Sequence, residues 1–595
     1  MPLPADTIPR VFESQARRLD GKAFLKDKHD KVWRDHSWAE LDNQIRKLRG
    51  GLAKLGIGAG DRVAILAENG PHWIVMDQAI LGLGGVVVPL YTTSGAEEMR
   101  HVLDDSGARL AAVFGDAMVK KVRDLGKLPN LEGAIAMHPG AAASDDETLE
   151  VVTADQISQF DATGSISGGG EDLATLIYTS GTTGMPKGVM LTHRNILSNC
   201  EANLEALGLG ENDMTLSFLP IAHAFERTAG YYTVMAAGAT IAFAEGLAQI
   251  PQNLLEVQPT VVLTVPRLLE AIFQRVMRSI DGATLARRII FHRALAAGIR
   301  AAFYRHRGAH IPPLLQMRMA LYRKLVFRRI RAIFGARIRY LISGGAPLPV
   351  EVNRLLAAAE VPIVEGYGLT EAAPVVSVNL HSHTRVGSVG RPLRGVQVKT
   401  LEDGELLVRG PNVMKGYFGL EEETREVLDG QGWLHTGDVV KIDADGYIRI
   451  TDRKKEIIVL SGGKNVSPAH LETRLAADPL IAQACVIGDR RKHLAALIVP
   501  NFDNLDEPLA KLGLNGRPPE EAIADPRLRE LIHGRIHEIN KSLSDVEAIA
   551  DFRLLAHPFT QENGELTPTL KLRRRIVQQH YHDDIEALYR HGGQS

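Results

Sequence analysis

Residues Tyr178 to Val189 read YTSGTTGMPKGV: three glycines, four serine or threonine residues and one lysine, set directly after the apolar run ATLI. Backbone N–H groups and hydroxyls on such a loop can turn onto phosphate oxygens, and a lysine adds a point charge. The chemistry suggested is the holding of a polyphosphate. A GxxxxGK[ST] loop would need glycine and a hydroxyl residue where this chain has Pro186 and Gly188, which disfavours an ordinary P-loop nucleotide hydrolase. Further along stand SGGAPLP at 343–349, EGYGLTE at 365–371, TGD at 436–438 and DRKKEIIVLSGG at 452–463. Each alone reads equally well as a turn, a capping aspartate or a solvated charged segment.

The elements that must carry these strings follow from hydrophobic periodicity. Between about residues 36 and 250, short apolar runs such as RVAIL and LAAVF alternate with helical patterns such as SWAELDNQIRKLRGGLAKLG. That alternation predicts βαβ units and parallel sheets. The run AILGLGGVVVPL is expected to be a buried strand with its turn, and GSISGGGEDLA, residues 164–174, a loop inside a domain. After about residue 385, runs such as GVQVKTL and GELLVRG between Gly and Asp turns predict a small β subdomain of hairpins. The expected fold is α/β: a large N-terminal domain, residues 1–452, of parallel and mixed sheets flanked by helices plus that β subdomain, then a small α/β C-terminal domain, residues 453–595.

Composition limits the function classes. With 595 residues, two or more domains are expected. A formal charge of −2 gives no global attraction to nucleic acid, and no nucleic-acid partner is expected. Cys200 and Cys485 lie far apart and fit neither a disulfide framework nor a zinc site, as suits a reducing cytoplasm. The first residues have no secretory pattern, and no run approaches the roughly 18 apolar residues of a membrane span. Residues 282–340 differ from the rest: they carry fourteen Lys and Arg and no Asp or Glu, interleaved with apolar residues. They predict basic amphipathic helices, with an anionic partner, lipid head groups or polyphosphate, set against a solvated face paired with acids elsewhere.

Taken in order, the five strings resemble the motif set of the AMP-forming acyl-adenylate synthetases, which include acyl-CoA synthetases, luciferases and peptide-synthetase adenylation domains. LPIAHAFERTAGYYTVMAAGATIAF, residues 219–243, and LTPTLK, residues 566–571, resemble the bacterial long-chain fatty acyl-CoA synthetase branch. The resemblance implies that ATP activates a fatty acid as acyl-AMP with release of pyrophosphate, and that CoA then displaces AMP. It implies Thr179, Ser180, Gly181, Thr182, Thr183, Gly184 and Lys187 around the phosphates, and Glu371 with Thr179 on Mg²⁺. Thr370 would touch the α-phosphate. Gly345, Ala346, Glu365, Gly366 and Tyr367 would form the adenine shelf, and Asp438 would accept the ribose hydroxyls. Arg453 and Lys455 would add contacts beside a hinge at Asp452, about which a mobile C-terminal domain turns. Gly462 and Gly463 would lie on a loop lining the pantetheine route, Lys571 would be the catalytic cation, and His223 would sit by the acyl carboxylate. The family's usual SGK or TGK ending is absent, so Lys571 is assigned by the basic pair that follows it. The basic stretch 282–340 fits collection of a long-tailed acid at an anionic membrane, with the protein otherwise cytoplasmic. A fatty acyl-AMP ligase loading a carrier protein is the nearest alternative. A non-catalytic lipid- or nucleotide-binding scaffold is the other, although every motif position holds a competent residue.

Overall fold

Helices begin where the sequence supplies caps. Ser37 Oγ accepts the Glu40 amide N–H at 3.2 Å and opens Trp38–Lys54. Thr192 and Asn195 cap each other to open His193–Leu207, which ends at Gly208 with φ +60°. The computed structural model describes residues 3–145, 149–179, 185–306, 309–380, 384–454, 456–462, 464–514, 516–567 and 572–590. Ser180, Gly181, Thr182, Thr183, Gly184, Lys455, Gly463 and Lys571 therefore lie outside the described residues.

Two nine-stranded sheets dominate the described residues. In one, the parallel strands Leu110–Val113, Arg62–Leu66, Val86–Leu90 and Leu173–Thr179 are extended by antiparallel Lys187–Thr192 and Gly416–Tyr417. In the other, Val261–Thr264, Tyr340–Ser343 and Ile363–Gly368 run parallel, and Val375–Asn379 turns back beside them. Ile65, Trp38, Trp73, Tyr231 and Ile241 belong to one core shared by both sheets and the helices packed on them. Each fully buried apolar side chain of this kind stabilises the fold by about 1.5–3 kcal/mol.

Gln397–Thr400, Glu405–Arg409, Leu434–Ile442 and Ile448–Arg453 form the small antiparallel sheet. Beyond it, Ile481–Ile487, Leu494–Pro500 and Ile549–Leu554 make a three-stranded sheet with its own core, including Leu471, Ile498 and Ile532. The fold is thus α/β, with a large N-terminal part and a smaller C-terminal one.

One expectation needs correction. Ala79–Gly82 of AILGLGGVVVPL ends the helix Pro71–Gly82, and only Val86–Leu90 is strand. The helix is buried on every side from Trp73 onward, so no polar stripe marks its period in the sequence. Gly84, at φ +73°, makes the turn between the two.

The basic stretch forms the helices Leu285–His306, Pro313–Tyr322 and Arg328–Ile333, the last two joined by a π-helical turn. Part of its charge meets distant acids: Arg323 makes two 2.8 Å hydrogen bonds to Glu360, Arg305 lies 3.5 Å from the same carboxylate, and Arg339 pairs with Asp213 at 2.6 Å. Leu314, Met317, Leu321 and Leu325 stand exposed among the other arginines. Among the described residues no helix is long and apolar enough to cross a membrane.

Candidate active site

The YTSGTTGMPKGV loop joins antiparallel strands, with Thr179 ending one and Lys187 opening the next, directly opposite it in register. Its base is braced on both sides. Tyr178 donates its hydroxyl to Asp105 at 2.5 Å, and His101 Nε2 donates to the Pro186 carbonyl at 2.8 Å, both partners lying on the helix Ala96–Ser106. Gly188 packs closely against Tyr178: a Cβ there would stand 3.0 Å from the ring and press on it. Three residues further in along the same strand, Thr175 receives Arg227 at 2.7 Å and donates to the Val87 carbonyl at 2.7 Å.

Lys187 lies with its ammonium 5.3 Å from the Tyr417 ring centroid, and the Tyr417 hydroxyl donates to Glu371 Oε1 at 2.9 Å. Burial, then the Glu371 charge, holds the Tyr417 phenol far above its ordinary range, so it stays a donor. Glu371 and Thr370 sit on one 3-10 turn, pinned by the Met414 N–H to the Glu371 carbonyl at 2.8 Å and by Asn412 to the Ala372 carbonyl at 2.9 Å. A cation, a phenol and a carboxylate thus meet beside the loop. Mg²⁺ held mainly by substrate phosphates takes only one or two protein oxygens, and a single braced carboxylate fits that demand.

A second cluster gathers the other strings. Tyr367, at the end of Ile363–Gly368, donates its hydroxyl to Asp438 Oδ2 at 2.5 Å, and Arg453 Nε donates to Asp438 Oδ1 at 2.8 Å. Asp438 is 3 % exposed, so its charge is stabilised by these two donors rather than by water. Glu365 accepts Asn353 at 3.0 Å, and burial pushes its carboxyl up to about 7. Gly366 has open space where a Cβ would stand, its nearest neighbour being the Ser377 carbonyl at 4.0 Å. Gly345 and Ala346 lie exposed on the turn after Tyr340–Ser343, and Gly345 adopts φ +86°, which favours glycine.

Asp452 and Arg453 end the strand Ile448–Arg453, and Asp452 Oδ1 accepts the Arg453 N–H at 2.8 Å. Burial raises the Asp452 carboxyl above its ordinary range. The next residue, Lys454, donates to Glu405 at 2.7 Å and Asp403 at 2.5 Å. Gly462 is exposed on the turn between the short strands Ile458–Val459 and Asn465–Val466. On either side of Lys571, Leu566 bridges Leu572, and half-buried Arg574 donates to Glu472 at 2.6 Å. The positive charge of Arg573 acts on Glu98, which shares the helix Ala96–Ser106 with His101.

His223 stands on a tight turn, its N–H on the Pro220 carbonyl at 2.9 Å. Its Nδ1 accepts the Phe225 N–H at 3.2 Å, which assigns the ring proton of the neutral imidazole to Nε2. Phe225 in turn packs against Gly344, where a Cβ would stand 3.0 Å from its ring. Sequence reasoning overlooked Tyr417, His101 and the buried group of Arg227, Asp77, Tyr231 and Tyr232. The signal for the last was present: Glu226 and Arg227 are two charges inside an otherwise apolar segment, which is costly unless both find partners.

The AMP-binding enzyme profile matches residues 12–418, and the AMP-binding enzyme C-terminal domain profile matches residues 455–592. The chain is 37% identical over 574 residues to the long-chain-fatty-acid–CoA ligase FadD15 of Mycobacterium bovis, covering 94% of this chain and 93% of that one. It is 32% identical over 563 residues to long-chain-fatty-acid–CoA ligase 5 of Mus musculus, covering 89% of this chain and 80% of the relative. The adenylation domain of a carboxylate reductase from Mycobacterium chelonae superposes with a TM-score of 0.79 over 98% of this chain and 91% of that chain, at 23% identity, and so shares the fold. The profile match over more than half of the length, together with relatives alignable nearly end to end, shows that this chain belongs to the AMP-binding enzyme family.

Proposed function

We propose that the protein is a long-chain fatty acid–CoA ligase: it joins a fatty acid to ATP as acyl-AMP, releasing pyrophosphate, and then transfers the acyl group to CoA with release of AMP. The observation that carries this reading is the meeting of Lys187, Tyr417 and Glu371 beside the phosphate hairpin. Phosphoryl chemistry asks a protein mainly to place charge and donors. In this reading Lys187 and the loop residues 180–184 hold the outer phosphates, and Thr370 meets the α-phosphate. Glu371 and Thr179 are the residues that would hold Mg²⁺, which when bound supplies charge neutralisation between the phosphates and the carboxylate. Gly345, Ala346, Glu365, Gly366 and Tyr367 receive the adenine, Asp438 the ribose, and Arg453 with Lys455 the adjoining edge. His223 donates from Nε2 to the fatty carboxylate. Lys571 arrives on a C-terminal domain that turns about Asp452, and the Gly462–Gly463 loop lines the pantetheine path.

The test is mass spectrometry of the products formed from ATP, Mg²⁺ and fatty acids of mixed length, with and without CoA. Acyl-CoA formed only with CoA and biased to long chains supports the ligase. Acyl-AMP that accumulates despite CoA moves the acceptor to a carrier protein.

The reading extends to where the substrate is collected. Exposed Leu314, Met317, Leu321 and Leu325 lie among arginines, a pairing that suits the interface of an anionic membrane. Co-sedimentation with phosphatidylglycerol vesicles at low salt, lost with neutral vesicles and weakened in Met317→Asp, is the expected result. Failure to sediment with anionic vesicles removes this part of the proposal.

A further inference from the structure

Three residues after His223 lies an acid with no part in the chemistry above. Glu226 opens the π-helix Glu226–Tyr232, is 2 % exposed, and accepts the Ser217 hydroxyl at 2.6 Å on Oε1. Its Oε2 has no hydrogen-bond partner among the described residues. The glycine at 230 leaves room for the carboxyl, since a Cβ there would come within 2.6 Å of it and force it to move. Ser217 also receives the Asn69 amide at 3.1 Å. That amide donates to the Leu219 carbonyl at 2.7 Å, while Asn69 Oδ1 accepts the Ile221 N–H at 3.0 Å. A chain of polar groups therefore runs from a buried carboxyl, through one hydroxyl and one amide, to the backbone of residues 219–221, and His223 follows with its own N–H on Pro220.

Apolar packing alone would hold such a loop less specifically. A hydrogen-bonded network in low dielectric has few alternative arrangements, because any other leaves further buried donors or acceptors unmet beyond the Glu226 Oε2. We propose that Glu226 is a positioning residue: its buried carboxyl, acting through Ser217 and Asn69, fixes the turn that presents His223 to the carboxylate of the fatty acid. The inference rests on the ligase reading and on the role given there to His223.

Fatty-acid-dependent exchange of pyrophosphate into ATP, measured on the full chain, tests it. In Glu226→Ala the KM for the fatty acid is expected to rise roughly tenfold, the size of one lost buried hydrogen bond, while the KM for ATP stays within about twofold. Glu226→Gln, which keeps an acceptor for Ser217, restores the fatty-acid KM. The double variant His223→Ala/Glu226→Ala is no worse than His223→Ala alone, because the effect passes through His223. Ser217→Ala removes only the connecting hydroxyl and gives the same split in KM should Glu226→Ala fail to fold. Equal rises in both KM values, or additive losses in the double variant, overturn the proposal and mark Glu226 as support for the fold alone. A wild-type chain that makes no acyl-AMP from any fatty acid overturns the ligase reading first; an active wild type without the split overturns only this inference.

Discussion

Tyr417 links two charges that the ligase reading gives separate tasks, touching the Lys187 ammonium with its ring and the Glu371 carboxylate with its hydroxyl. The two contacts can be separated. Tyr417→Phe keeps the ring and removes a hydrogen bond to a charged group, worth about 1.5–3 kcal/mol. Its expected effect is a rise in the KM for ATP of roughly tenfold, with the fatty-acid KM unchanged. Glu371→Gln keeps an acceptor for the hydroxyl and removes the charge, and kcat for acyl-AMP formation should then fall by about 10² or more. Equal, mild effects of the two variants would deny Glu371 its place at the phosphates. Glu226 makes a prediction of another kind. Burial pushes its carboxyl up to about 8 from the ordinary 4.5. Between these values the folded chain keeps a proton that the unfolded chain has released, so this group's contribution is fully present below about 4.5 and is lost as pH rises through 8. Urea midpoints of wild type should therefore fall more steeply from pH 6 to pH 8.5 than those of Glu226→Gln. Parallel curves would mean that Glu226 is already ionised in the fold.

Helix Pro71–Gly82, strand Leu173–Thr179 and the π-helix Glu226–Tyr232 meet at one buried ion pair, Arg227 with Asp77 at 2.5 Å. Both tyrosine hydroxyls of the π-helix and Thr175 complete it, and the Arg227 guanidinium lies 5.1 Å from the Trp73 ring centroid. Removing one member strands a buried charge, so Asp77→Ala is expected to cost about 3–5 kcal/mol, read as an earlier urea transition of the N-terminal part. An unchanged midpoint would mean that the pair is replaceable by water. These contacts also show where the sequence stopped being legible. The phosphate loop, EGYGLTE and TGD are contiguous strings, so their resemblance could be read from the sequence directly, although TGD lies inside the strand Leu434–Ile442 rather than on a turn. Tyr417 meets Glu371 across 46 residues, and Arg227 meets Asp77 across 150. Local sequence can show that Arg227 needs a partner, but no local pattern names the partner in such pairs, since it is chosen by how sheets stack. The basic stretch was legible in the same partial way: its own composition holds no acid, but Glu360 and Asp213, distant in the chain, neutralise several of its arginines. The helix hidden in AILGLGGVVVPL was lost because burial on every side erases its period.

Across the whole molecule, Arg574, three residues after Lys571, donates to Glu472 of the helix Pro468–Ala476, while the charge of Arg573 acts on Glu98 of the helix whose His101 holds the Pro186 carbonyl. An arrangement of this kind suits acyl-AMP formation, in which a cation must stand by the developing phosphoryl charge, and CoA attack needs no such cation. Lys571→Ala should therefore slow acyl-AMP formation by roughly 10²–10³ while leaving acyl transfer from supplied acyl-AMP to CoA within a few-fold. Glu98→Arg probes the same arrangement from the opposite side. It sets a cation against Arg573 without altering any residue assigned to substrate, so it should lower the population of this arrangement and slow the first half-reaction several-fold. The second half-reaction, started from acyl-AMP, should be unchanged or faster. If Glu98→Arg slows both halves equally, the charge interaction between Arg573 and Glu98 is not specific to acyl-AMP formation, and the domain turning of the ligase reading gains no support from it.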